Sequence, residues 1–307
     1  MPVSVKFIII SIFALLLTAC SKKATDAVEE LPKINIPRFG EENTLEIASW
    51  NIQTFPKSGQ TVSDVKEIVL DLDADLYAVQ EINNAFEFRN LLDSLNAAAG
   101  ADMYDGRLNE LSSSFKTGII FKKSVIEVLD STYLFVNYLY DFASRPTFQL
   151  SLLASKNGRT FDFNLIVVHL KAEDGNPQSQ VRRRNSIQKL ENYIDSQLQS
   201  GSDPDFVVAG DWNDELEDPP SSNVFLPFLE DTLRYRFLTL PFAGSSSEFS
   251  YLLGGFNSLI DHILITTSID TAYLPLTTQV LKLDQYYSLY VSEVSDHRPV
   301  AARFGTF

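Results

Sequence analysis

The strongest constraint on this chain is a set of short apolar runs, each ending on a polar group that an ordinary buried strand avoids. Leu45-Glu46-Ile47-Ala48-Ser49-Trp50-Asn51-Ile52 carries Asn51 near its end, Leu76-Tyr77-Ala78-Val79-Gln80-Glu81-Ile82 places Glu81 there, and Phe161 to His169 ends on a histidine. Asp205 to Asp211 ends on an acid with Asn213 two residues on, and Asp296-His297 leads into Val300 to Phe304. Asp261 interrupts a further run, Leu259 to Ile265. Alternation and length mark all of these as strands. A lone buried carboxylate is costly, so several of them imply a shared positive centre, most simply a metal ion. Oxygen donors dominate, the chain has only 3 histidines, and its 1 cysteine rules out a thiolate-rich site. Hard oxygen ligands favour Mg2+, with Mn2+ or Ca2+ as alternatives, over zinc.

Helical periods separate the strands. Thr61 or Ser63 is expected to cap a helix through Val65, Ile68, Val69 and Leu72, and Phe86 to Ala99 forms another that Gly100 stops. Gln178 to Leu198 is a long helix, with Val181, Ile187, Leu190, Ile194 and Leu198 predicted on its inner side. Thr117 to Lys122 and Val125 to Phe135 read as strands, and Asn157-Gly158 predicts a hairpin between Phe148 to Ala154 and Phe161 to His169. The stretch Pro219 to Pro241 has no clear period. With 307 residues, 45% of them hydrophobic, the alternation predicts one α/β domain over residues 43–307. A net charge of -15 argues against an electrostatic clamp on nucleic acid but leaves a weakly binding nuclease open.

The beginning of the chain reads differently. Lys6 precedes an apolar run, Phe7 to Leu17, too short to span a bilayer comfortably, and Leu17-Thr18-Ala19-Cys20 is similar to the lipobox of bacterial lipoproteins. The expectation is a signal peptide over residues 1–19, lipidation at Cys20 and a polar tether over residues 20–42. Such a protein would be an extracytoplasmic monomer of the cell envelope, held to the membrane through its acyl chains.

Taken in order, Ser49-Trp50-Asn51-Ile52, Val79-Gln80-Glu81-Ile82, Val168-His169-Leu170, Gly210-Asp211-Trp212-Asn213, Ile260-Asp261-His262 and Ser295-Asp296-His297-Arg298-Pro299 resemble the motifs of the endonuclease/exonuclease/phosphatase superfamily, the DNase I-like group. The resemblance spans residues 43–305 and implies a four-layer sandwich of two mixed β-sheets flanked by helices. It also implies a metal-dependent hydrolase of phosphate esters, with nucleic acid as the first substrate class and a phospholipid headgroup, as in sphingomyelinase-like enzymes, as the second. A binding lipoprotein that has lost catalysis is the third reading. By the same resemblance Asn51, Glu81 and Asp296 hold the metal. His297 and Asp261 form a His-Asp dyad, His169 faces the scissile phosphate, and Asp211 with Asn213 reaches the phosphate or its attacking water. Two candidates for the base, Asp211 and His297, stay open. Arg145, in Ser144-Arg145-Pro146, and Lys171 are candidate phosphate contacts.

Other notable residues have structural readings. His262 should point away from Asp261 and serve packing, and Trp50 and Trp212 should be core. Arg182-Arg183-Arg184 reads as a solvated helix face, and the alternating aromatics Tyr133, Phe135, Tyr138, Tyr140 and Phe142 as a strand packed on the core. Phe237 to Phe256 is the long loop region that would meet lipid in a membrane-acting relative.

Overall fold

Alternation along the strands sorts their side chains between two faces, and both faces are covered. The computed structural model describes Met1 and residues 33–112, 114–255 and 257–305. Residues 2–32, where the signal-peptide and Cys20 readings fall, lie outside the described residues, and no helix among those described is long and apolar enough to cross a membrane.

In chain order the strands are β1 (Leu45–Phe55), β2 (Leu76–Ile82), β3 (Tyr104–Leu108), β4 (Lys116–Lys122), β5 (Ile126–Leu134), β6 (Thr147–Lys156), β7 (Arg159–His169), β8 (Phe206–Asp211), β9 (Tyr235–Phe237), β10 (Asp261–Thr266), β11 (Gln279–Val280) and β12 (Val300–Phe304). The α-helices are α1 (Thr61–Leu72), α2 (Ala85–Ala99), α3 (Pro177–Ser200) and the single turn α4 (Leu226–Leu229). One six-stranded sheet runs β11-β12-β1-β2-β4-β3 and the other β5-β6-β7-β8-β10-β9. The pairs β1–β2 and β7–β8 are parallel and the remaining pairs antiparallel, so both sheets are mixed.

Leu45 and Ile47 of β1, with Val300 and Ala302 of β12, meet Leu165, Val167, Val207 and Ile263 of the second sheet in the central core. On the outer face of the first sheet, Trp50, Tyr77 and Val79 pack under Val65, Ile68 and Leu91 of α1 and α2. On the outer face of the second, Ile166, Val168 and Val208 pack under Ile187, Leu190 and Ile194 of α3. The four-layer α/β sandwich expected from the sequence is therefore present.

Local chemistry explains most boundaries. The β6–β7 hairpin turns through Asn157 (φ 53°) and Gly158 (φ 75°), the left-handed pair a two-residue turn requires. Asn84 caps α2 by accepting from the N–H of Phe86 and of Glu87, and Gly100 ends it in a left-handed conformation. Helix α1 departs from expectation, because Gln60 precedes it without a side-chain cap. Thr61 is already its first residue, and its hydroxyl instead donates to Glu293 O at 2.6 Å. On α3, Val181 is exposed and Arg183 takes a buried position. Strand β3 was not apparent from the sequence, and a short α4 and β9 occupy the stretch without clear period.

Packing also begins before residue 43. Ile36 and Phe39 are buried in the core under α1, the N–H groups of Phe39 and Gly40 donate to Leu72 O, and Arg303 donates to Phe39 O. Residues 36–40 are therefore docked on the domain and do not act as tether.

Near the start of β1, Glu46 is fully buried beside Asp75, with Lys156 on both. Burial, joined by the Asp75 charge and opposed by Thr44 and Lys156, pushes the Glu46 carboxyl from 4.5 up to about 8. Between those values the native state holds a proton the unfolded chain has released, so stability falls as pH rises through this window. Urea midpoints measured from pH 5 to pH 9 should decline, and Glu46→Gln should flatten that decline.

Candidate active site

The strand faces that form the central core also carry the polar residues at one end of it. Asn51 continues the face of Leu45 and Ile47, His169 that of Leu165 and Val167, Asp211 that of Val207 and Ala209, and Asp261 that of Ile263 and Ile265. Within the second sheet Asp211 is the register partner of His169 on β7 and of Asp261 on β10. Gly210 allows this close approach, since a Cβ there would lie 2.0 Å from Val168 O.

His297 Nδ1 donates to Asp261 Oδ2 at 2.7 Å, and its Nε2 faces Asp211 at 4.0 Å and Asp296 at 3.9 Å. Tyr290, which accepts from Trp50 Nε1 at 2.9 Å, donates to the carbonyl of His297 and fixes its backbone. Asn51 Nδ2 reaches across the sandwich to Asp211 Oδ2 at 2.9 Å and to Glu81 Oε1 at 3.3 Å. His169 Nε2 stands 3.6 Å from Asp211 and 3.7 Å from Glu81.

Glu81 owes its position to its backbone. Strict alternation would turn it toward the helices with Tyr77 and Val79, but its φ of 65° re-aims the side chain where the β1–β2 register shifts. A left-handed residue with a Cβ costs about 1–2 kcal/mol. Thr54 N holds the other carboxylate oxygen at 2.8 Å, and Gln53 Nε2 donates to Asp296 Oδ2 at 2.9 Å. Asn213, two residues beyond Asp211, lies past the end of β8. It sits in a left-handed turn (φ 55°), not on an extended strand end, and donates from Nδ2 to Leu170 O at 3.2 Å.

Charge crowding shows in the proton affinities. Burial raises Asp211 to about 7, with His297 opposing and Asp261 assisting. Burial, partly offset by His297, also raises Asp296. His169 is driven well below its ordinary value by burial and by Arg145 and His297. For His297 burial opposes charge, yet Asp261, Asp211 and Asp296 together lift it to about 10.

Glu81, His169, Asp211, Asp296 and His297 line a cleft of about 680 Å³ that also includes Gln53, Phe115, Arg145, Asn213 and Tyr251. Arg145 Nη2 donates to Leu170 O at 2.6 Å, while its buried Nε meets no partner among the described residues. Burial holds this guanidinium down to about 10 against the pull of Asp211 and Glu81. Lys171 does not line the cleft, because Asp174 holds its ammonium at 2.8 Å. Arg183 corrects the solvated reading of the arginine run. It is buried, donates to Asp214 and Glu173 at 2.7 Å each, and bonds Lys171 O at 3.0 Å.

The other structural readings divide. Trp50 and Trp212 are fully buried, and His262, on the helix side, donates from Nε2 to Asp214 O while Nδ1 accepts from Thr239. Burial lowers His262 to about 4, consistent with a neutral packing group. The aromatic run is not one strand. Tyr133 stacks on Phe148 and Phe135 on the buried Phe142, whereas Tyr138 and Tyr140 are exposed under Lys189 and Arg182. In the long loop region Phe237 is buried and Phe249 lies under Arg298, while Phe256 is outside the described residues.

Asp211, Asp261 and His297 offer three ligand atoms within 4.8 Å of one another, a group able to hold a metal. The 2.7 Å bond commits Asp261 and His297 to each other, however. The oxygens of Glu81 and Asp296 line the cleft and, with the Asn51 amide beside Glu81, form the harder donor set.

The model of the endonuclease/exonuclease/phosphatase family matches residues 48–297. The chain belongs to this family. Curated proteins give no match to it. Among solved structures, the human nocturnin catalytic domain with bound sulfate is similar at TM-score 0.60 and 17% identity, covering 89% of this chain and 96% of its own. TDP2 from D. rerio, complexed with single-strand DNA product, aligns at TM-score 0.57 and 14% identity, covering 85% and 98%. Mannosyl-6-phosphatase from Bacteroides thetaiotaomicron aligns at 0.55 and 15%, covering 85% and 99%. At such identities the likeness establishes the shared fold, and members of the family are phosphoesterases and nucleases.

Sequence reasoning missed Gln53, Phe115, Tyr251 and the structural role of Arg183. Gln53 follows Asn51 by two residues, a usable strand signal, whereas Phe115 and Tyr251 come from loops that carry none. Removing Arg183 leaves the buried Asp214 carboxylate without its partner, so Arg183→Ala should lower unfolding free energy by about 3–5 kcal/mol. Chemical denaturation checks this, and Asp214→Asn added to it should cost less than additively.

Proposed function

We propose that this family member is a divalent-metal-dependent phosphoester hydrolase, with phosphodiesters of the nucleic-acid type as its first substrate class and Mg2+ as its metal. The observation that carries the reading is the meeting of Asn51, Glu81, His169, Asp211 and His297 about one point, from segments distant in sequence. Glu81, Asn51 and Asp296 would hold the ion, which when bound supplies Lewis-acid polarisation of phosphoryl oxygens.

The remaining chemistry belongs to side chains of this chain. His169, kept neutral by burial, has an N–H to offer a nonbridging oxygen or the leaving group. Asp211 is fixed by Asn51 and by Asn213 N at 3.0 Å, and faces both histidines, which suits it to orient water and accept its proton. Asp261 orients the His297 ring so that Nε2 faces the same place. Arg145 brings a fixed positive charge to the substrate phosphate.

Purified protein should hydrolyse bis-aryl phosphate or nucleic acid with Mg2+ and lose activity in EDTA. Glu81→Ala and His297→Ala should each lower kcat by about 10²–10⁴-fold without unfolding. Metal-independent turnover, or variants equal to the parent, would remove the reading.

The same proposal places the protein in the cell envelope through lipidation of Cys20, supported by Leu17-Thr18-Ala19-Cys20. Fatty-acid labelling in a bacterial host should mark the parent and not Cys20→Ala.

A further inference from the structure

We propose that the cleft takes a compact phosphoester bearing a ring next to the scissile phosphate, held between Phe115 and Tyr251, and not a polynucleotide tracked along its backbone. This rests on the hydrolase reading above and narrows its substrate.

One aromatic ring stands beside each histidine. Phe115 meets His169 edge-on at 6.4 Å between centroids, and Tyr251 meets His297 at 5.2 Å. Both histidines face Asp211 Oδ2, so a phosphate bound among them has an aromatic ring within reach of its substituents on either side. Both rings are half-buried and line the same cleft.

Their placement is held by the backbone. Phe115 has a left-handed φ of 48°, unusual for a large side chain, and its N–H donates to Asn83 Oδ1 at 2.6 Å. Tyr251 forms an isolated antiparallel bridge with His297 and donates from its N–H to Ser258 O at 3.0 Å. With the backbone anchored in this way, each ring has only two side-chain torsions left to order when a ligand ring stacks on it.

The charges around the cleft favour a compact ligand. Among the described residues lining it, Arg145 is the one Lys or Arg. Lys171 is held by Asp174, and Arg183 by Asp214 and Glu173. Glu173 and Asp174 themselves stand at the cleft. Backbone tracking depends on several cations displacing counterions from successive phosphates, and the described lining of this cleft offers no such track. Stacking of one ring on an aromatic side chain is independent of such cations and contributes roughly 5- to 100-fold in affinity.

The test uses two substrates with one leaving group, the p-nitrophenyl ester of thymidine 5′-monophosphate and methyl p-nitrophenyl phosphate, with the full chain and Mg2+. The nucleoside ester should show the higher kcat/KM. That ratio should fall about tenfold in Phe115→Ala and in Tyr251→Ala, mainly through KM, and persist in Tyr251→Phe. A single-stranded 20-mer should compete no better than thymidine monophosphate. Equal kcat/KM on the two esters, or tighter and steeply salt-dependent binding of the 20-mer, overturns the substrate class while leaving the hydrolase standing. Turnover of neither ester overturns both.

Discussion

The hydrogen bond from Asn51 to Asp211 joins the two sheets at the cleft, and the rest of the site is arranged about it. Asn51 belongs to β1 of one sheet and Asp211 to β8 of the other, so the contact exists only while the sandwich keeps its stacking. Within the second sheet the ladder gives Asp211 its neighbours, His169 and Asp261, without any side-chain search. Within the first, Ser295 Oγ donates to Asn51 O at 2.6 Å and brings Asp296 and His297 alongside. Two rigid sheets and one amide between them thus fix groups spread over most of the sequence.

This geometry concentrates acids where burial penalises them. Asp211 and Asp296 both bind protons more strongly than free carboxylates, and the imidazolium of His297 is the nearest relief. Such an arrangement is poor for stability and useful for a reaction that brings a cation and a phosphate together. The Glu46 and Asp75 pair is also buried, but Lys122 and Lys156 reach it directly. The contrast separates an acid cluster bonded directly by lysines from one whose nearest positive groups are His297 and Arg145.

Much of this was legible because strand alternation is a strict rule. The six runs, their order and the opposite faces of Asp261 and His262 follow from period two, and Asn157-Gly158 announces its own turn. What escaped lies where alternation breaks. The positive φ values of Glu81, Asn213 and Phe115 are set by surrounding packing and have no glycine to betray them. Arg183 looks like its neighbours Arg182 and Arg184 until the helix is seated, and then the 100° step per residue puts it alone under the surface. Val181 is lost from the inner face for the same reason. Ile36 and Phe39 were hidden by the polar residues around them, since two apolar side chains without a period give no signal.

The support beneath the site shows how charge is kept from the reacting centre. Trp212 Nε1 donates to His262 O at 3.0 Å, and His262 in turn donates to Asp214 O at 3.0 Å, so the backbone on both sides of Asn213 is pinned. Arg183 ties Asp214 to the carbonyl of Lys171 and to Glu173, which fixes the segment after His169 from below. These contacts lie on the helix side of the sheet. His262, held neutral by burial, can bond there without adding charge opposite Asp211. Placing the strong ion pair outside and only hydrogen bonds between lets the carboxylates in the cleft keep their own balance. A rigid outer layer then determines where Asp211 and Asn213 stand, while the field they experience is set mainly by the groups that line the cleft.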